Sequence, residues 1–271
     1  MKVPRLVRQI GKRLVSATPV LRRHIMASTD YHVLDSADEA RVAAATSEGW
    51  LAAHTVARQE RAYRNLIAAM KRGKPRTDFQ IAALAVATTG VVNPRLLEIG
   101  CGSGYYSEVF ATLVSGGVRY AGIDYSEAMI ARARARYPTD EFDVADATAL
   151  PHLDGAFDVA FNGVSLMHII DYEAAIREAA RVARQFCILH TVPVFDDQRT
   201  TYLRKFAYGA PVVEVIFNKP ELISLCERAG LRLRRAWPCI PYDVFKVTGH
   251  HSATETYLFS KESMGTPDRG E

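Results

Sequence analysis

Two sets of residues in this chain have the types and spacing to do chemistry. One is the turn Gly100-Cys101-Gly102-Ser103-Gly104, which follows the apolar run Leu96-Leu97-Glu98-Ile99 and leads into a helical stretch from Tyr105. Glycines at alternate positions let a backbone turn sharply and approach a ligand closely, and a helix N-terminus beyond them faces that ligand. Twenty positions after Gly104, Asp124 closes the run Arg119-Tyr120-Ala121-Gly122-Ile123, where an acid suits two ribose hydroxyls. The order strand, glycine turn, helix, strand, acid points to a nucleotide-like ligand. The other set is His168 and His190, candidate bases because histidine alone titrates near neutrality without a strong shift. Of the two, His190 ranks first, since it ends the apolar run Phe186–Leu189 on the side where open α/β sheets bind ligands. Each residue also has a plain structural reading. The glycines can be a turn, Asp124 a neighbour of the helix cap Ser126, and either histidine a hydrogen-bonded core residue.

The elements that must position these residues alternate. Strands are expected at Leu96–Ile99, Arg119–Asp124, Glu141–Val144, Phe157–Asn162, Phe186–His190, Leu231–Trp237 and Glu255–Phe259. Helices are expected at Tyr105–Val114, Ser126–Tyr137, Tyr172–Ala183 and from Lys219, capped by Asn218 with Pro220 near its start, to Ala229. Strands apolar on both faces argue for a parallel sheet covered on both sides. Before them, Asp38–Met70 reads as one long or broken helix capped by Asp35 or Ser36, and Asp78–Thr89 as another. Residues 192–217 are long for a plain connection and carry Arg204, Lys205 and Tyr208.

The turn departs from a dinucleotide fingerprint, which wants a third glycine where Tyr105 stands. The run Glu98, Gly100, Gly102, Gly104 instead resembles the first motif of the class I S-adenosylmethionine-dependent methyltransferases. The resemblance continues through Asp124, through Asp146-Ala147-Thr148-Ala149-Leu150-Pro151, through Phe157–Asn162 and through Ser165-Leu166-Met167-His168, covering roughly residues 95–191. It implies a Rossmann-like, seven-stranded, mostly parallel sheet with helices on both faces, an antiparallel last strand and an N-terminal helical cap. It also implies S-adenosyl-L-methionine as cofactor. Glu98, Gly100, Cys101, Gly102 and Gly104 would then form the cofactor turn, Asp124 with Tyr125 would hold the ribose, Asp146 with Ala147 the adenine amino group, and Asn162 would close the fourth strand beside the site. Relatives often hold the methionine carboxylate from the cap, for which Arg58, Tyr63 and Tyr106 are candidates, with His54 and Gln59 nearby. Many relatives carry a structural or cofactor-shell histidine at the place of His168.

The expected organisation is a basic amphipathic arm over 1–30, a helical cap over 31–90, a core over 91–263 with a substrate-side insert at 192–217, and a polar tail over 264–271. The chain has 271 residues, 48% apolar, enough for one full core and an appendage. Cys101, Cys187, Cys226 and Cys239 have neither paired nor metal-like spacing, so no disulfide framework or metal site is expected. With no spanning apolar run or signal-peptide core, a cytoplasmic protein is expected. Residues 1–29 hold seven basic residues and no acid, exceeding the chain's net charge of +4. Residues 1–23 could lie on an anionic membrane, pack as an arm or serve as a transit segment. Nucleic-acid binding is not expected, because no basic stripe interleaved with aromatics continues beyond the arm, and Asn162 is followed by Gly163 rather than by the prolines of nucleobase-modifying relatives. The expected activity is methyl transfer to a small molecule at a hydroxyl oxygen, of a sugar or polysaccharide precursor or of an aromatic metabolite. A non-catalytic cofactor-binding subunit and a nicotinamide-dependent oxidoreductase stay open, as does the oligomeric state.

Overall fold

A computed structural model describes residues 28–262 except 48 and 52; the basic arm over 1–30, apart from its last residues, and the tail over 264–271 lie outside the described residues. Strand β2 (Arg95–Ile99) is buried on both faces and sits centrally. Beside it lie β3 (Arg119–Asp124), β4 (Glu141–Val144), β5 (Phe157–Gly163) and β6 (Ala183–Phe195), all parallel, in the order β4-β3-β2-β5-β6. Strand β10 (Ala253–Lys261) inserts antiparallel between β6 and β9 (Leu231–Pro238). These seven strands form the expected mostly parallel sheet. Period-2 alternation divides its core in two. Leu96, Tyr120, Val159, Ile188 and Leu258 pack toward α3 (Thr77–Thr88), α4 (Tyr105–Leu113) and α5 (Glu127–Arg136). Leu97, Ile123, Ala160, Leu189 and Phe259 pack toward α6 (Tyr172–Val182) and α7 (Lys219–Arg228).

Local signals place the helix starts. Ser126 accepts from the Met129 N–H, Asn218 from that of Glu221, and Ser36, which caps α1 (Ala37–Ala45), from that of Glu39. Helix α3, expected from a cap at Asp78 through Thr89, begins at Thr77 instead, with Arg76 as its cap and Asp78 in its first turn. The stretch expected as one long or broken helix is broken, into α1, a 3-10 turn at Gly49–Leu51 and α2 (Ala53–Lys71).

Two departures reshape the expected cap and insert. Residues 192–217 are not a loop: β6 continues to Phe195, and β7 (Thr201–Ala207) and β8 (Ala210–Asn218) form a hairpin. Its two tip residues, Tyr208 at φ 49 and Gly209 at φ 92, both take the left-handed backbone that matches the twist of a tight hairpin. The cap is not wholly helical either, because β1 (Ser28–Leu34) pairs antiparallel with β7. The sheet therefore has ten strands rather than seven among the described residues. Strand β8 joins β6 only through Val194–Phe217 and Phe195–Asn218, beyond the end of β5, so β1, β7 and β8 overhang the carboxyl edge of the core sheet. No helix among the described residues is long and apolar enough to cross a membrane.

Candidate active site

A cavity of about 500 Å³ opens at the carboxyl ends of β2, β3, β5 and β6, beneath the overhanging strands. Ligand sites of open α/β sheets lie at this edge. The glycine turn forms its floor, with Gly100 at φ 74 and Gly102 at φ 54. A Cβ on Gly100 would stand 2.4 Å from the Ser165 Cβ, and one on Gly102 would stand 3.1 Å from the Gln59 Oε1, so both positions need the absence of a side chain. Gly100→Ala is expected to lower the thermal unfolding midpoint, through about 1–2 kcal/mol of left-handed backbone cost plus the collision. Ser165→Gly removes the collision but also the Ser165 Oγ hydrogen bonds to the Ile99 carbonyl and Asn162 Oδ1, so Gly100→Ala in that background should fall below Ser165→Gly alone by the backbone cost only; equal midpoints for Gly100→Ala and the parent would contradict this reading.

Asp124 ends β3 facing the cavity. Its Oδ2 accepts from the Gly102 N–H and its Oδ1 from the Ser126 N–H, both at 2.9 Å, which fixes the carboxylate and couples it to the turn. Burial raises its pKa against those two hydrogen bonds. Each oxygen keeps a further lone pair, enough to accept two hydroxyl hydrogens. Asp146 also lines the cavity; its Oδ1 is held by the backbone and hydroxyl of Thr148, each at 2.8 Å. Cys101, Tyr125 and Ala147 line the same cavity, with Tyr125 half-exposed.

Along the cap side stand Gln59, Tyr63, Tyr105, Arg76 and Asp78. Tyr63 stacks on Tyr105, their centroids 4.0 Å apart. Arg76 donates from Nε to Asp78 Oδ1 at 2.6 Å and makes a second contact to Oδ2. Side by side at the cavity wall, a guanidinium and a carboxylate offer partners for a group carrying both charges. Gln59 Oε1 is buried without a hydrogen-bond partner there.

The other end of the cavity is walled by His168, Trp50, Tyr208 and the pair Lys205–Glu214. His168 Nδ1 lies 2.8 Å from the Val213 carbonyl, which can only accept, so Nδ1 carries the hydrogen and Nε2 keeps its lone pair. Burial and then the nearby Lys205 charge lower the His168 pKa to about 4, leaving the ring neutral at physiological pH.

Several residues expected in the site lie elsewhere. His190 is enclosed between Tyr106 and Phe161, with Nδ1 2.9 Å from the Thr256 hydroxyl and Nε2 3.0 Å from the Thr191 hydroxyl. Burial and then Arg76 push its pKa down to about 3. It does not line the cavity, whereas Thr191 and Pro193 do. The reason is a bulge in which His190 and Thr191 together oppose Thr256, with Thr191 at φ 56, so the next residue turns inward instead. Tyr106 is fully buried in the aromatic core, and Tyr105 takes its place at the wall. Asn162 closes the turn after β5, accepting from Ser165 Oγ and the Leu166 N–H. Glu98 lies beneath the turn, bonded to the Tyr120 hydroxyl, with burial raising its pKa. Gly104, at φ 77, starts α4 where a Cβ would strike Phe142. Arg58 packs at the hairpin tip beside Gly209, where His54 also bonds the Gly209 carbonyl. Arg76, Asp78, Trp50, Glu214 and Tyr242 were not expected. Arg76-Thr77-Asp78 at a helix start was the one visible signal for the first two.

Comparison with known proteins agrees with this architecture. Residues 97–189 match a family described as a methyltransferase domain. A probable S-adenosylmethionine-dependent methyltransferase of Mycolicibacterium smegmatis is 32% identical over 142 residues, 51% of this chain and 52% of that protein. The 27-O-demethylrifamycin SV methyltransferase of Amycolatopsis mediterranei is 43% identical over 96 residues, 33% of this chain and 35% of that protein. The chain thus spans about half the length, or less, of these relatives. The crystal structure of a TehB-like SAM-dependent methyltransferase from Corynebacterium glutamicum shares the fold with a TM-score of 0.52 at 19% identity, covering 76% of this chain and 98% of that one.

Proposed function

We propose that this chain acts as a class I S-adenosylmethionine-dependent methyltransferase, a reading supported by the methyltransferase-domain match over residues 97–189 and its S-adenosylmethionine-dependent relatives, and that it transfers a methyl group from S-adenosylmethionine to a hydroxyl oxygen of a small molecule. The observation that carries the cofactor assignment is the Asp124 carboxylate, locked to the turn by Gly102 and open toward the cavity. The residues fit the group. Left-handed Gly100 and Gly102 clear the floor, Asp124 accepts the ribose hydroxyls, and Asp146 accepts from the adenine amino group. Arg76 and Asp78, with Gln59 above Gly102, receive the carboxylate and ammonium of the methionine end. These take the role first expected of Arg58, Tyr63 and Tyr106, of which Tyr63 remains as a wall of the same end.

The cofactor supplies, when bound, an already activated methyl group, so the protein has to position the acceptor and take up its proton. His168 Nε2 is the group for that proton, because its other nitrogen is tied to Val213 and burial keeps it neutral. His190 has no such role, since both of its nitrogens are engaged inside the sheet.

Asp124→Ala is expected to weaken S-adenosylhomocysteine binding by about 1.5–3 kcal/mol, the range for a lost charge-assisted hydrogen bond. Titration calorimetry reads it, with circular dichroism checking that the fold persists; unchanged affinity in the folded variant would overturn the assignment. Methyl transfer itself is tested with methyl-labelled S-adenosylmethionine against panels of hydroxylated rings and sugars. Label found only on nitrogen or carbon would refute oxygen as the acceptor.

A further inference from the structure

We propose that the end of the cavity beneath β7 and β8 takes an uncharged, flat ring bearing an acidic hydroxyl and a carbonyl oxygen, and that the Lys205–Glu214 pair selects it. This rests on the methyltransferase reading above and extends it to the acceptor. Lys205 pairs across the hairpin with Val212, and Glu214 stands diagonally two residues on, so both side chains share the inward face. Adjacent Arg204 points outward and is exposed. The two charges meet at 2.7 Å, with side chains only 8% and 2% exposed. The Tyr242 hydroxyl donates to the same Glu214 Oε2 at 2.6 Å, and the Lys205 ammonium lies 5.8 Å and 5.7 Å from the ring centres of Tyr31 and Tyr242. Burial works against ionising Glu214, but Lys205 and the neighbouring donors outweigh it and hold the carboxyl below its usual range.

The consequence is an acceptor region of zero net charge. A phosphate or carboxylate entering it would lose its hydration without gaining a free cation, since Lys205, which lines this end, is already compensated. A carbonyl oxygen, by contrast, can accept one of the remaining ammonium hydrogens without disturbing the pair. The hydroxyl hydrogen faces His168 Nε2, so the wall presents one acceptor and one donor, the complement of a hydroxyl and a carbonyl on one ring. Trp50 and Tyr208, with ring centroids 5.5 Å apart, supply aromatic surfaces for a flat ring. The weak basicity of His168 points the same way. Proton transfer to it is far less uphill from a phenolic or enolic hydroxyl than from an alkyl one.

The test uses the full chain saturated with S-adenosylhomocysteine and three size-matched probes: para-hydroxyacetophenone, para-ethylphenol and para-hydroxybenzoate, titrated by NMR chemical-shift changes. The ketone should bind about fivefold tighter than the ethylphenol and about tenfold tighter than the benzoate, the scale of one well-placed hydrogen bond and one excluded charge. Glu214→Gln leaves the ammonium uncompensated and should strengthen benzoate binding about tenfold while changing ketone binding little. Lys205→Met should erase the preference of ketone over ethylphenol. Should either single variant fail to fold, the neutral double variant Lys205→Met/Glu214→Gln should lose the preference of ketone over ethylphenol, because the ammonium donor is gone, while still binding benzoate less tightly than the ketone, because no cation is freed. Benzoate binding to the parent as tightly as the ketone, no probe binding at all, or a Glu214→Gln variant that ranks the probes as the parent does would each overturn the proposal. Failure of S-adenosylhomocysteine to bind would instead strike the methyltransferase reading and is read in the same titration before any probe is added.

Discussion

His168→Asn is expected to lower kcat by about a hundred- to ten-thousand-fold, the usual contribution of a positioned base, with S-adenosylhomocysteine affinity nearly unchanged. Asparagine is the informative replacement because its amide nitrogen reaches the position of Nδ1 and can keep the bond to the Val213 carbonyl, while nothing replaces Nε2. The wall at Trp50 and β8 therefore stays in place and only the proton acceptor is lost. His168→Ala removes both the bond and the base, so the two variants separate positioning from proton uptake. Parent and His168→Asn turning over alike would mean that the site works by proximity alone. The parent's pH profile gives a second reading. With the conjugate acid near pH 4, kcat/KM should be flat through pH 6.5, where an ordinary histidine would inflect. An inflection at 6.5 that disappears in His168→Asn would show that the imidazole is not buried as the geometry has it.

The parts of this site legible in the sequence are those set by local chemistry. Gly100 and Gly102 need a left-handed backbone, Asp124 ends a strand, and Ser126 and Asn218 cap helices; each is decided within a few residues. What was not legible depended on partners far away in the chain. Strand β1 exists because β7 is beside it, and β7 and β8 have a buried inner face because the cavity lies under them. One partial signal is present: Gly209 separates two runs rich in β-branched and aromatic residues by a two-residue turn, and on the resulting hairpin Lys205 and Glu214 fall on the inward face. On that hairpin the adjacent Arg204 and Lys205 lie on opposite faces, Arg204 exposed and Lys205 buried, so the two bases do not meet one ligand. Arg58, Tyr63 and Arg76 show the same limit on the cap. The packing of α2 and α3 on α4, far along the chain, decides which of them faces the cavity.

His190 marks where strand periodicity fails, and it carries the second large prediction. A strand buried on both faces does not say which face meets the ligand, and a bulge shifts the answer by one residue. Thr256 opposes both His190 and Thr191, its hydroxyl accepting from the Thr191 N–H at 3.4 Å and lying 2.9 Å from the His190 ring. The ring is therefore a wedge that fixes the bulge and, through it, the cavity-facing Thr191. It is also buried uncharged. Its folded pKa near 3 lies below the ordinary 6.5, so between those values the unfolded chain binds the extra proton. The stability it contributes is complete above about pH 6.5 and is lost as pH falls toward 3, amounting to roughly 3 kcal/mol by pH 4. His168 shifts in the same direction but opens on the cavity, so solvent reduces its share. Urea unfolding at pH 7 and pH 4 measures the loss, and His190→Gln, which cannot titrate, should remove most of the difference between the two pH values while being less stable than the parent at pH 7. A His190→Gln variant that loses as much stability between pH 7 and pH 4 as the parent would show that the buried imidazole is not the group that makes this fold acid-sensitive.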